Sequence, residues 1–112
     1  MKQRNIVLVP FPFSDQSGNK VRPALVLSNN EFNEKSEDVV VCGITSNIKN
    51  SKYSLTIDQS DIEEGKLYEK SSIKVENLVK MNKKLIMKSF ARINKKTFLD
   101  VNKRLEELFR IV

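Results

Sequence analysis

The sequence predicts a mainly β protein of the α+β class: a small antiparallel barrel with a short helix and a C-terminal helix laid over it. Three observations predict this. The first half alternates β-branched apolar runs with clusters of turn formers. Ser71–Met81 alternates with a period of two, and Thr97–Val112 carries an apolar stripe at helical spacing. At 112 residues, 39% hydrophobic and 30% charged, the chain has the size and composition of one globular domain, residues 1–112.

Taken in order, "IVLVPF" (Ile6–Phe11) reads as a first strand, interrupted by Pro10 and Pro12, and "SDQSGN" (Ser14–Asn19) as a loop. "RPALVLS" (Arg22–Ser28) and "DVVVCGIT" (Asp38–Thr45) are a second and third strand, their unbroken apolar runs fitting a barrel or sandwich interior. "YSLTI" (Tyr53–Ile57) alternates as a fourth. Ser60 followed by Glu63 has the spacing of a capping box, and Gly65 closes the single helical turn it predicts. Ser71–Met81 is a long strand with Ile73, Val75 and Asn77 on one side and Lys74, Glu76 and Leu78 on the other. "KLIMKSFARI" (Lys84–Ile93) fits either a strand or a short helix. Phe98, Val101, Leu105, Leu108 and Val112 share one face of the C-terminal helix, with Thr97 as its cap.

Composition narrows the chemistry. No apolar run approaches the ~20 residues a membrane helix needs. The basic start "MKQRNIVLVPFPF" is broken by prolines and followed by no small-residue cleavage site, so no signal peptide is expected. The single cysteine, Cys42, excludes an intrachain disulfide, fits a packing role and suits the cytoplasm. With no histidine and one cysteine, a zinc site of the usual kind is not expected, nor do the acidic residues form a magnesium motif. No metal or cofactor is expected. Any catalysis must use Arg, Lys, Thr, Ser, Tyr and carboxylates.

Charge is unevenly spread. Residues 1–65 hold 7 basic and 9 acidic side chains; residues 66–112 hold 13 and 5, a net +8. Between Lys70 and Lys96 there are nine basic residues and one acid, Glu76. Such a field suits a polyanionic partner, or equally a lysine surface that aids solubility.

Two local features bear on chemistry. Pro23 biases Arg22 toward extended backbone and cannot donate to a ladder, so the strand should start at an edge or bulge where a charge stays wet. A guanidinium there matches phosphate oxygens, or bonds neighbouring carbonyls or a carboxylate as a structural residue. In "CGITSNIK" (Cys42–Lys49) a buried strand ends at the hydroxyls of Thr45 and Ser46, which suit an anionic oxygen and also ordinary turn chemistry.

"NIVLVPFPFSDQSGNKVRPALVLS", the "ITS" around Thr45 and the later "LYEKSSIKVENLVKMNKKLI" together resemble the MazF/PemK family of toxin–antitoxin endoribonucleases, over nearly the whole chain. The resemblance implies an SH3-like barrel with a C-terminal helix, acting as a homodimer. It implies metal-independent, sequence-specific cleavage of single-stranded RNA, usually mRNA, by the substrate's own 2′-hydroxyl, leaving a 2′,3′-cyclic phosphate and a 5′-hydroxyl. It further implies inhibition by an antitoxin with an acidic, disordered C-terminal segment, which suits the +8 half of the chain. The family's arginine and threonine fall on Arg22 and Thr45. A basic and an acidic residue of some relatives fall on Lys74 and Glu76, with Glu76 a candidate base, and lysine stands where such relatives have arginine. Asn77 falls where relatives often have an amide that reads a base edge, and Phe13, Asp15, Lys20 and Ser46 are further candidates for RNA contact. Arg4-Asn5 replaces the family's usual Gly-acid pair, which is expected to alter a turn. Two other readings are a same-fold non-catalytic toxin of DNA gyrase, a branch that typically ends in a Trp-containing tail this chain lacks, and a module that only binds RNA or antitoxin.

Overall fold

The computed structural model describes residues 1–10, 20–49 and 51–112. Its strands are β1 (Asn5–Pro10), β2 (Val21–Val26), β3 (Asp38–Thr45), β4 (Ser54–Ile57), β5 (Ile62–Gly65), β6 (Ser71–Asn82) and β7 (Lys88–Ile93). All pair antiparallel in one curved sheet, in the order β4-β6-β3-β2-β1-β7-β5. Two helices, α1 (Asn30–Lys35) and α2 (Lys95–Leu108), complete this half-barrel of the α+β class.

The unbroken apolar runs have a direct cause: both faces of the central strands are buried. Ile6, Leu25, Cys42, Ile44, Ile73, Val75 and Ile93 point to one face, where Val101, Phe98 and Leu105 of α2 cover them. Val7, Val9, Ala24, Val26, Val39, Val41 and Met81 form a second core on the opposite face.

Several expectations need correction. Asn94, not Thr97, caps α2: its side chain accepts from the Thr97 amide at 2.8 Å, while the Thr97 hydroxyl donates to Asp61 Oδ1 at 2.8 Å. Val112 lies beyond the helix, fully exposed. The helical turn expected at Ser60 starts two residues earlier. Asp58 and Asp61 form its capping box, Gln59–Asp61 is a 3-10 turn, and the chain through Gly65 becomes edge strand β5. Gly65 has φ 86°, and a Cβ there would lie 2.3 Å from the Phe90 carbonyl oxygen, so the β5–β7 approach requires glycine. The ambiguous "KLIMKSFARI" divides into a 3-10 turn (Lys83–Leu85) and β7. Arg4, in the turn where the family resemblance calls for glycine, adopts φ 78°. Its guanidinium reaches Ile93 O at 2.9 Å and Glu63 Oε1 at 3.1 Å, contacts that oppose the strain of a left-handed non-glycine residue.

The strand Ser71–Met81 does not alternate throughout. Cys42 of β3 pairs with Leu78, yet the next residue, Gly43, pairs with Lys74, so a bulge in β6 holds Val75, Glu76 and Asn77 against no residue of β3. Leu78 therefore packs with Ile73 and Val75 instead of sharing a side with Lys74 and Glu76, as simple alternation predicts.

Candidate active site

The sheet register assembles the site. Val21, Arg22 and Pro23 pair with β1 alone, because pairing with β3 begins at Ala24. Pro23 thus sits on a local edge where its missing N–H costs no ladder bond. Arg22 lies on the face of Ala24 and Val26, opposite Val9. The β2–β3 ladder ends at the Ala24–Gly43 pair, and Arg22 and Thr45 each lie two residues beyond it on their own strands. Thr45 pairs in turn with Ser72, and Gly43 with Lys74. Since Ile73 and Val75 point to the helix-covered face, Ser72 and Lys74 share the face of Arg22 and Thr45, and Glu76 follows in the adjoining bulge.

This end of the sheet differs from the valine-rich core beside it in having polar groups without partners. Among the described residues, the half-buried Arg22 guanidinium forms no hydrogen bond or ion pair. Lys74 and Glu76 make no salt bridge with each other, so they are not a surface ion pair. One carboxylate oxygen of Glu76 is buried with no donor, and the Ser72 hydroxyl, 1% exposed, has no partner either. Thr45 Oγ1 accepts from the Asn47 amide at 3.1 Å, which fixes the turn after β3 and leaves the hydroxyl proton to donate elsewhere. An arginine fork, a hydroxyl donor and an ammonium on one face, with a carboxylate in the adjoining bulge, suit a phosphodiester, with charge to neutralise and a proton to move.

The remaining candidates fall around this group. Asn77 is half-buried within the β6 bulge, Ser46 is exposed just past Thr45, and Lys20 is exposed at the start of β2, where it has interaction partners. Phe13 and Asp15 lie outside the described residues. Ser72 escapes a sequence reading because "SS" before a strand looks like turn chemistry; its signal is the buried orphan hydroxyl. Cys42 is a core residue whose thiol is pushed up in pKa by burial and, to a lesser degree, by the Glu76 carboxylate, so it is not a nucleophile. Among the described residues, no three of His, Cys, Asp and Glu come together as a metal site, and no helix is long and apolar enough to cross a membrane.

The basic run divides by role. Lys80 pairs with Asp38 at 3.8 Å, Lys83 donates to Asn33 O at 2.7 Å, and Arg92 pairs with Glu64 at 3.0 Å and Glu63 at 3.8 Å. These hold the fold together. Lys74 instead stands on the face of Arg22.

A family model described as the PemK-like, MazF-like toxin of type II toxin–antitoxin systems matches residues 2–109. Solved structures share the architecture. An endoribonuclease in complex with its cognate antitoxin, from a mycobacterial species, superposes with a TM-score of 0.81 at 15% identity, over 100% of this chain and 97% of that one. The Mycobacterium tuberculosis toxin MazF-mt6 gives 0.78 at 15% identity, over 97% and 99%. MazF from Deinococcus radiodurans gives 0.79 at 18% identity, over 99% and 97%. At these identities the structural likeness establishes the fold. No curated protein sequence matches at a significant level.

Proposed function

This chain belongs to the PemK-like, MazF-like toxin family of type II toxin–antitoxin systems, and from that premise we propose that it is a metal-independent, sequence-specific endoribonuclease acting on single-stranded mRNA. One observation supports this reading above the rest. Arg22 and Thr45 each lie two residues beyond the last β2–β3 pair, Ala24–Gly43, and the Arg22 guanidinium has no partner among the described residues.

In the proposed reaction the ribose 2′-oxygen attacks phosphorus, the P–O5′ bond breaks, and the products are a 2′,3′-cyclic phosphate and a 5′-hydroxyl. Arg22 holds the scissile phosphate and stabilises its dianionic transition state, a role worth about 10²–10³ in rate for one well-placed donor. Thr45 donates its free proton to a phosphate oxygen. Glu76, whose buried oxygen has no donor, accepts the 2′-hydroxyl proton. Lys74 adds positive charge on the same face, and Arg22 relays a proton to the departing O5′ as Glu76 takes the one from the 2′-hydroxyl. Lys20, Ser46, Asn77, Phe13 and Asp15 are the candidates for holding the flanking nucleotides.

The same reading gives the protein a homodimeric state, a cytoplasmic location and an antitoxin partner. The antitoxin's acidic, disordered segment would engage the half of the chain that carries +8. The test is to incubate the protein with a long single-stranded RNA in excess EDTA and map the ends. Discrete cuts with cyclic-phosphate ends are the expected result. Intact RNA in the presence of a folded dimer would overturn the enzymatic reading and turn attention to gyrase poisoning or to binding without turnover.

A further inference from the structure

Ser72 carries a hydroxyl in a costly position. It is 1% exposed, it has no hydrogen-bond partner, and it sits directly across the β3–β6 ladder from Thr45 on the same face. A buried hydroxyl without a partner destabilises the fold, and alanine at this position would avoid that cost. Paired residues on one face of an antiparallel ladder hold their Cβ atoms within hydroxyl reach of one another. Thr45 Oγ1 accepts one bond, from the Asn47 amide, and so keeps a second lone pair as well as its own proton.

We propose that Ser72 is a positioning residue that acts through Thr45. When a phosphate oxygen accepts a hydrogen bond from the Thr45 hydroxyl, the Thr45 oxygen becomes a better acceptor, and Ser72 turns its O–H onto it. The chain Ser72 O–H to Thr45 O–H to phosphate oxygen polarises the Thr45 donor and fixes its rotamer as negative charge builds on the phosphate. The hydroxyl that is unsatisfied in the free protein and in the ground-state complex becomes satisfied only as negative charge builds on the phosphate, so its cost is relieved in the transition state. Thr56, the β4 partner of Ser72 on its other side, is exposed to solvent, so it makes no comparable demand on the buried hydroxyl.

This inference rests on the endoribonuclease reading, and the experiment separates the two. Wild type, Ser72→Ala, Ser72→Thr, Thr45→Ala and the Ser72→Ala/Thr45→Ala double variant are compared by thermal melting and by RNA cleavage in EDTA. For Ser72→Ala the expected result is a melting temperature equal to or above wild type, with kcat lowered about tenfold and KM nearly unchanged. Ser72→Thr, which keeps the hydroxyl, should recover most of kcat. In the Thr45→Ala background the Ser72 change should have no further effect on cleavage. A Ser72→Ala variant that melts lower and cuts at the wild-type rate overturns the relay, as does an additive double variant. A wild-type protein that cuts nothing overturns both readings together.

Discussion

The two ends of β3 treat their polar groups in opposite ways. Near Asp38, the Ser28 hydroxyl accepts from the Val40 amide and donates to Asn33 Oδ1. The side-chain amide of Asn33, a residue 1% exposed, donates to Ser28 O and Met1 O, and its backbone carbonyl accepts from Lys83 Nζ. Ser28, Asn33 and Lys83 thus find their partners within the chain. Near Thr45, Arg22, Lys74, Ser72 and one oxygen of Glu76 have none among the described residues. Folding alone would select the first pattern everywhere, because an unpaired buried polar group costs about 1–3 kcal/mol. The second pattern persists where a ligand supplies the missing partners, and so the two ends should respond oppositely to mutation.

The largest expected effect is at the unsatisfied end. Arg22→Ala should lower RNA cleavage by about 10³-fold with the melting temperature within a degree or two of wild type, checked by gel kinetics alongside calorimetry. Glu76→Gln should lower kcat by roughly 10²-fold without loss of stability, since the charge it removes has no donor to lose. Unchanged cleavage in either variant would break the contrast.

At the satisfied end the sign reverses. Asn33→Ala should cost about 2 kcal/mol, a fall of roughly 10 °C in Tm, with cleavage per folded molecule unaltered. Denaturant titration together with activity at low temperature would separate the two effects. Arg4→Ala should cost about 1–2 kcal/mol through the lost Ile93 and Glu63 contacts, and Arg4→Gly less, because glycine accepts φ 78° without strain. If the glycine variant were the weaker of the two, strain at this turn would be ruled out.

The smallest effect concerns acid. Hydrogen bonds from the Ser60 side chain and amide hold the exposed Asp58 carboxyl below its ordinary value of 3.8. Its contribution is therefore complete above that pH and is lost as pH falls through the lower folded value. Asp58→Asn should flatten only that acid limb of the stability curve.

How much of this was legible in the sequence follows from what each segment had to do. β3 is read to the residue, and β6 to within one, because β-branched runs between turn formers leave few alternatives. α1 escapes notice because "NEFNEK" has no apolar stripe; it is a capped turn held by Asn29 and by contacts distant in sequence. Arg22, Thr45, Lys74 and Glu76 were singled out through the family pattern; strand parity puts Arg22, Thr45 and Lys74 on one face, with Glu76 in the adjoining bulge. The bulge, the face of Leu78 and the isolation of Ser72 depend on pairing with β3, which local sequence does not encode.

The β6 bulge has a consequence for insertions and deletions. Between Lys74 and Leu78 the strand takes four steps while β3 takes one, so an odd number of surplus residues inverts the in-out parity of everything beyond it. That inversion lets a single strand put Ser72 and Lys74 on one side with its first half, and Val79 and Met81 into a core on the same side with its second. Substituting a residue here alters one side chain. Removing one residue from 75–77 would reverse the orientation of an entire half of the strand, so this segment should tolerate changes in spelling far better than changes in length.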